Sequence, residues 1–176
     1  IVKFKGNILK ADSLEYNKKT KFAKAEGNIQ IKINNQIFHA DMVEYDFVKK
    51  KANVKNIKGL INSETIISDF NFNLNSFNQN LVSTIHRIQK DKVIFSPNKV
   101  SNWIFSTDSL KFDKNKWSSK KAFFTNDLLA TNQIKIQFND LTIYTQKEKL
   151  NFKSKINYLI LQDRIYIPFW FGNRTI

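Results

Sequence analysis

The chain has 176 residues and a formal charge of +14, with sixteen phenylalanines, four glycines, two prolines and no cysteine. That length allows one domain with a real core or two small ones. The lack of cysteine excludes a disulfide scaffold, a thiolate metal site and a cysteine nucleophile, though an oxidising compartment stays open.

The opening "IVKFKG" already reads as a strand, and period-2 alternation then continues along the chain. In "NIQIKINNQIFHA" it runs through Ile29, Ile31 and Ile33, pauses at Asn34-Asn35, and resumes at Ile37. The asparagine pair predicts a tight turn, because asparagine tolerates positive φ. "DFNFNLNSF" alternates Phe70, Phe72 and Leu74, and residues 75–82 gather asparagine and serine as in a weakly ordered stretch. "IKIQFNDLTIYT" carries Ile134, Ile136 and Phe138, then Leu141 and Ile143. "KINYLILQDRIYIPFWF" reads as two strands about a turn at Gln162-Asp163. The lysine-rich stretches "YNKKTK", "DFVKKKAN", "FDKNKWSS" and "TQKEKLN" are polar turns between strands. No segment holds a helical period over ten residues, so the expectation is an all-β chain of short antiparallel strands. No apolar run reaches the roughly 18 residues of a membrane-spanning helix. No leader is present, so any signal peptide is expected to have been removed, and both ends read as cuts through a longer protein.

One irregularity recurs. In "FHADMVEYD" the apolar set is Phe38, Ala40 and Met42 from one end, and Val43 and Tyr45 from the other. The same apolar-x-small-Asp-x-apolar-x-aromatic pattern stands at Leu9, Ala11, Asp12, Leu14, Tyr16 and at Phe105, Thr107, Asp108, Leu110, Phe112. Residues 136–143 form a degenerate copy with Asn139 in the aspartate position, and "ISDF" at 67–70 is a further candidate. The aspartates at 12, 41, 69 and 108 lie 29, 28 and 39 residues apart, and Gly-Asn-Ile repeats at 6–8 and 27–29 with an echo, "NIKG", at 56–59. A unit of that size points to a stacked architecture. Within it, the phase change marks a bulge or corner: one residue turns the strand, a small side chain avoids crowding, and the aspartate accepts a local backbone N–H. Ala11, Asp12, Ala40, Asp41, Thr107 and Asp108 are the structural-corner residues on this reading.

These residues carry a resemblance. "GNILKADSLEYNKKTKFAKAEGNIQIKINNQIFHADMVEYD" closely resembles the OstA-type repeat of bacterial lipopolysaccharide transport proteins. Residues 101–176 sharpen the likeness toward the N-terminal periplasmic domain of the outer-membrane lipopolysaccharide-assembly family, LptD. "NWIFSTDSLKFD" is similar to its Trp-x-Ile-x-Ala-Asp segment, and "RIYIPFWFG" to the run just before the membrane barrel. The match is strong over 1–59 and weaker over 60–100. Residues 117–138 are similar to a cyanobacterial-type branch. The cysteines that tie this domain to the barrel in well-known members are missing here.

What the resemblance implies is one domain over 1–176, an OstA-type β-jellyroll of two facing antiparallel sheets around an open groove, preceding an outer-membrane barrel. It implies a non-enzymatic domain without cofactor at the periplasmic face of the outer membrane. Its groove would hold the acyl chains of lipopolysaccharide and pass them to the barrel. The implied partners are lipopolysaccharide, neighbouring jellyrolls docked edge to edge, and the barrel with its plug lipoprotein. The alternative within the pathway is a stand-alone bridge component.

The groove candidates are Ile29, Ile31, Ile33, Phe38, Ala40, Met42, Phe70, Phe72, Phe105, Ile134, Ile136 and Phe138. The other reading of these residues is a filled sandwich core. Asp12, Asp41 and Asp108 are spaced as corner residues rather than as a catalytic carboxylate pair. The two histidines, His39 and His86, have no metal-ligand spacing around them. Trp170, within "IPFWF", is the membrane-proximal candidate, because aromatic belts flank barrels. Lys49–Lys51 and Lys120-Lys121 are candidates to meet lipid phosphates, against the plainer reading that a charge run in a turn is solvated. Arginine occurs only at positions 87, 164 and 174, which argues against a nucleic-acid partner despite the charge. A basic β-sandwich that binds nucleic acid or acidic polysaccharide is the less favoured alternative, and the same arginine scarcity counts against it.

Overall fold

The computed structural model describes residues 1–4, 7–33, 36–62, 101–113, 116–127, 133–146 and 149–175. The expected Asn34-Asn35 turn, the stretch from "ISDF" through residue 82, Phe70, Phe72 and His86 lie outside the described residues. The alternating segments are strands: β1 (Val2–Phe4), β2 (Asn7–Lys10), β3 (Ser13–Asn17), β4 (Phe22–Ile33), β5 (Gln36–Asp46) and β6 (Lys51–Asn62). After residues 63–100 come β7 (Asn102–Asp113), β8 (Lys116–Thr125), β9 (Ile134–Gln146), β10 (Lys149–Leu161) and β11 (Ile165–Thr175). No helix occurs among the described residues.

All eleven strands belong to one antiparallel sheet in the order β1-β2-β4-β5-β6-β7-β8-β9-β10-β11, with β3 beside β4. Two separate facing sheets were the expectation; the hydrogen bonding instead forms a single open sheet. The reason lies in strand length. Most strands from β4 onward run through the corner without stopping, so each carries its pairing from one side of the bend to the other.

The corner itself is a crease that crosses the sheet. Between β4 and β5 the register steps from Glu26↔Met42 to Ile29↔Ala40, so Gly27 and Asn28 oppose Asp41 alone. Between β5 and β6 pairing lapses from His39↔Lys58 to Met42↔Lys55, and between β9 and β10 from Lys153↔Thr142 to Asn157↔Phe138. β10 and β11 shift register between Ser154 and Ile156. At the first edge β2 and β3 are two halves of one line bent at Ala11-Asp12, pairing with opposite ends of β4. Gly27, Asn28, Asn56 and Asp140 all have positive φ at this level. Each is the local cost of folding one strand through the bend.

Burial confirms the phase change. Along β5 the buried residues are Gln36, Phe38 and Ala40, and beyond the crease Val43 packs on the core. β6 switches from Ile57 and Ile61 to Val54, β7 from Phe105 and Thr107 to Leu110, and β9 from Phe138 to Leu141. Residues from both sides of the crease meet in one hydrophobic cluster, which includes Ala25, Ile29, Val54, Phe105, Leu110 and Leu141. Small residues sit on its inner side, with Ala25, Ala40 and Ala122 all buried. Apolar burial therefore drives the bend, and the polar corner residues are left outside.

Two turns repeat the same local chemistry. Asn17 Oδ1 accepts hydrogen bonds from the N–H groups of Lys19 and Thr20 at 3.0 and 3.1 Å. Asp46 Oδ1 accepts from those of Val48 and Lys49 at 3.0 and 2.9 Å. Four residues after each capping side chain comes a lysine at positive φ, Lys21 at 55° and Lys50 at 54°. Lysine is an unfavourable residue there, since Cβ crowds the following carbonyl. Replacing Lys21 or Lys50 by glycine is expected to stabilise the chain by about 0.5 kcal/mol each, after the added chain entropy of glycine is counted. A urea midpoint that stays or falls in both variants would contradict this.

Candidate functional site

The inward face is organised in rows that cross the strands, because directly paired residues point to the same side of a sheet. One row is apolar from edge to edge. Val2 pairs with Leu9, Leu9 with Ile31, Ile31 with Phe38, and Phe38 with Gly59. The row continues through Phe105, Phe124, Ile136 and Leu159 to Ile167. It crosses ten strands, which at about 4.8 Å per strand spacing spans roughly 43 Å. Its centre is closed, with Phe38 1% and Phe105 2% exposed; its ends are not, with Val2 and Ile167 both 41% exposed. Phe124 links the middle by packing against Phe105 and Phe138, at ring separations of 5.1 and 5.3 Å.

Nearer the crease, Ile29 stands opposite Ala40, Ile57 opposite Thr107, and Ala122 opposite Phe138; all six are buried. Toward the far ends of the strands lies a third row, alternating large and small. Tyr16 pairs with Ala23, Ala23 with Tyr45, Tyr45 with Ala52, and Ala52 with Phe112. Trp117, Ile143 and Phe152 continue it. The Tyr45 hydroxyl is harder to ionise than usual, through burial and the neighbouring Asp46 charge.

Of the expected groove residues, Ile29, Phe38, Ala40, Phe105 and Phe138 lie in the core cluster, and Ile31, Ile33 and Ile136 pack against it. Met42 does not share that face. Its partners are Glu26 and Lys55, both exposed, so it stands on the outer side just past the phase change. Ile134 begins β9 and is 49% exposed. The Trp170 side chain lies outside the described ones, although its backbone in β11 pairs with Asn157 of β10. His39 is exposed on the outer face, opposite Gln30 and Lys58. Lys120 and Lys121 are exposed, and the Lys121 ammonium lies 5.2 Å from the Phe123 ring centre.

The corner aspartates work differently from the expectation. For Asp12 and Asp41 the partner is a side chain of the adjacent strand rather than a local backbone N–H. Asn28 Nδ2 donates to Asp12 Oδ2 at 2.7 Å, and Asn56 Nδ2 donates to Asp41 Oδ2 at 2.7 Å. In β9 Asn139 holds the aspartate position, between buried Phe138 and Leu141, and its Nδ2 donates to the Ile156 carbonyl across the crease at 2.7 Å; the next residue, Asp140, has positive φ and pairs with Lys155 at 2.7 Å. That hydrogen bond and charge hold the Lys155 ammonium above the usual lysine range. Asp12, Asp41, Asp108 and Asp140 are all exposed. Thr107 replaces alanine at its corner by burying a hydroxyl, 2.7 Å from Ser119 Oγ and donating to the Lys121 carbonyl at 2.7 Å. Among the described residues no three His, Asp or Glu side chains converge as metal ligands.

Residues 97–176 match the profile of a family described as a protein of unknown function, DUF3769. DUF3769 is an OstA-like family. The match spans β7 to β11, the half of the sheet that holds Thr107, Asp108 and Asp140. No curated protein matches the chain.

Sequence reasoning missed Asn28, Asn56, Asp140 and Lys155 as the corner partners. The signal for two of them was present in the Gly-Asn-Ile repeat and its "NIKG" echo. Asn28 and Asn56 each precede an inward isoleucine, and asparagine is the residue most at ease with positive φ after glycine. The edge-to-edge apolar row was out of reach, because it depends on the register of nine strand pairs.

Proposed function

We propose that this is a non-enzymatic lipid-transport domain that holds acyl chains of lipopolysaccharide along its inward face and passes them on at the periplasmic side of the outer membrane. In this reading the creased sheet is a jellyroll whose two arms face each other across the apolar rows, and the LptD-like resemblance supplies the destination, an outer-membrane barrel. The observation that carries the proposal is the apolar row from Val2 to Ile167. A row that runs perpendicular to the strands and reaches both outermost strands of the described sheet is a track, whereas an ordinary core is sealed by polar edges. The OstA-like DUF3769 match supports the same reading.

The energetics set the manner of transport. Each buried CH₂ contributes about 0.8 kcal/mol, so a dozen-carbon chain fully buried would be held by roughly 10 kcal/mol. A conduit therefore works only with partial burial. The half-buried ends of the row, Leu9 and Ile31 on one side and Ile136 and Leu159 on the other, meet that requirement.

Photocrosslinking residues placed at Ile31, Ile136 and Leu159 are expected to capture lipopolysaccharide in cells that make it. Met42 and Lys58, on the outer face, should capture none. Equal capture from both sets, or capture from the outer set alone, would overturn the assignment.

A further inference from the structure

An up-and-down sheet places alternate turns at the same end, and here that arrangement separates charge. At one end lie Lys18, Lys19, Lys21, Lys49, Lys50, Lys51 and Lys116, seven exposed lysines, with Asp46 and Asp113 as the aspartates among the described residues. Asp113 is paired to Lys51 at 2.9 Å, and Asp46 is held by its own turn with Lys49 at 3.5 Å. The N–H of Lys49 holds the Asp46 carboxyl below the usual aspartate range. At the other end the described turn residues at 126–127, 133 and 162–164 contain one cation, Arg164, and two aspartates.

The lysine end also carries exposed apolar side chains. Val48 is 70%, Phe47 51% and Tyr16 50% exposed. Phe47 and Tyr16 pack on one another. The Phe47 ring meets Tyr45 edge-on at 4.6 Å and Tyr16 at 5.7 Å. The Phe47 N–H donates to the Lys21 carbonyl at 3.0 Å, which ties the two capped turns together. The result is a strand end that presents exposed aromatic and aliphatic side chains together with seven exposed lysines.

We propose that this tip docks on the surface of a bilayer containing anionic phospholipid, with Phe47 and Val48 entering the headgroup boundary and the lysines meeting lipid phosphates. The chemistry selects this partner. Lysines near an anionic leaflet add their attractions, and an apolar side chain at the boundary supplies the second signal that stable surface binding requires. A nucleic acid would have no use for an exposed valine beside the lysines of this turn. The inference is independent of the acyl-chain track, since it concerns a different end of the strands and its assay contains no lipopolysaccharide.

The test is sedimentation of the full chain with vesicles of phosphatidylethanolamine and phosphatidylglycerol, beside vesicles of phosphatidylcholine alone. Binding to the anionic vesicles, weakened by salt, is expected; binding to the neutral vesicles is not. Each lysine removed from the tip should weaken binding about fivefold. Phe47→Ala should weaken it roughly tenfold. Charge reversal at Lys32, Lys58 and Lys153, exposed lysines away from the tip, should leave binding within about twofold after allowance for screening. Because the chain has no cysteine, Val48→Cys labelled with an environment-sensitive dye reports insertion directly. Its fluorescence should rise on anionic vesicles, with the unfolding midpoint unchanged. Equal loss from the distant lysines, no dye response, or binding to lipopolysaccharide aggregates or single-stranded DNA but not to phosphatidylglycerol would overturn the proposal.

Discussion

Phe38→Ala is expected to destabilise the fold by about 3–5 kcal/mol, the range for emptying a fully packed aromatic site. Phe38 is 1% exposed and lies across Gly59, its direct partner on β6. A Cβ at Gly59 would overlap the Phe38 ring and stand 2.5 Å from the Ile37 carbonyl oxygen. Gly59→Ala should therefore cost roughly 1–3 kcal/mol by overpacking. The two changes should not add. With the ring gone, its contact at residue 59 disappears while those to the Ile37 carbonyl and the Phe38 Cα remain, and the double variant should be more stable than the sum by about 1 kcal/mol. A urea-denaturation cycle on the four proteins measures this. Strict additivity would mean that the ring does not occupy the space over Gly59. The same pair lies at the midpoint of the apolar row, so the variants also define how tightly the centre of the row is closed.

Asn28→Val and Asn56→Val are expected to cost about 2–3 kcal/mol each, and the corresponding glycine variants less than about 1 kcal/mol. Both asparagines have positive φ, 42° and 51°, where a β-branched side chain is strained. Glycine keeps the backbone conformation and loses only an exposed hydrogen bond to Asp12 or Asp41. Asp41→Ala, which removes that bond from the other side, should resemble Asn56→Gly. The thermal midpoints of the five variants separate the contributions. If Asn56→Gly is as damaging as Asn56→Val, the amide-carboxylate contact rather than the backbone bend governs the crease.

The Asx-capped turn at Asp46 has a pH signature. Its carboxyl is held below the usual aspartate range by the Lys49 backbone N–H, then by the Lys49 side chain and its charge. The folded state thus binds this proton less readily than the unfolded state. The turn's contribution is complete above the ordinary aspartate range and fades as pH falls through the lowered value.

The alternation of β-branched and aromatic residues against polar ones was legible because a strand has a period of two whatever it packs against. The corner was legible for a related reason: a change of inward parity within one apolar run has few explanations other than a bulge. That reasoning located Ala40-Asp41 and Thr107-Asp108, and the structure places both at the crease. It assigned the wrong hydrogen-bond partner, because a residue one strand away is not visible in a local pattern. Asn139 does occupy the aspartate position of the repeat, and its amide reaches the Ile156 carbonyl of the next strand. Its neighbour Asp140 adds a positive φ and an ion pair with Lys155 that no local pattern signals. Met42 was carried to the inward side by extending the first phase one step too far.

By itself the sequence determined the strand content, the parity switch and the type of residue at each corner, all consequences of local geometry and of the need to bury apolar faces. Tertiary structure alone decided the rest. Register joined Val2, Phe38, Phe105 and Ile167 into one row, since residues on different strands become neighbours only through pairing. Sheet continuity made one creased sheet where two were expected, because hydrogen bonds follow strands that do not break at the bend. The antiparallel order gathered Lys18–Lys21 and Phe47–Lys50 at one end. Net charge is a property of composition, and where that charge points is a property of the fold.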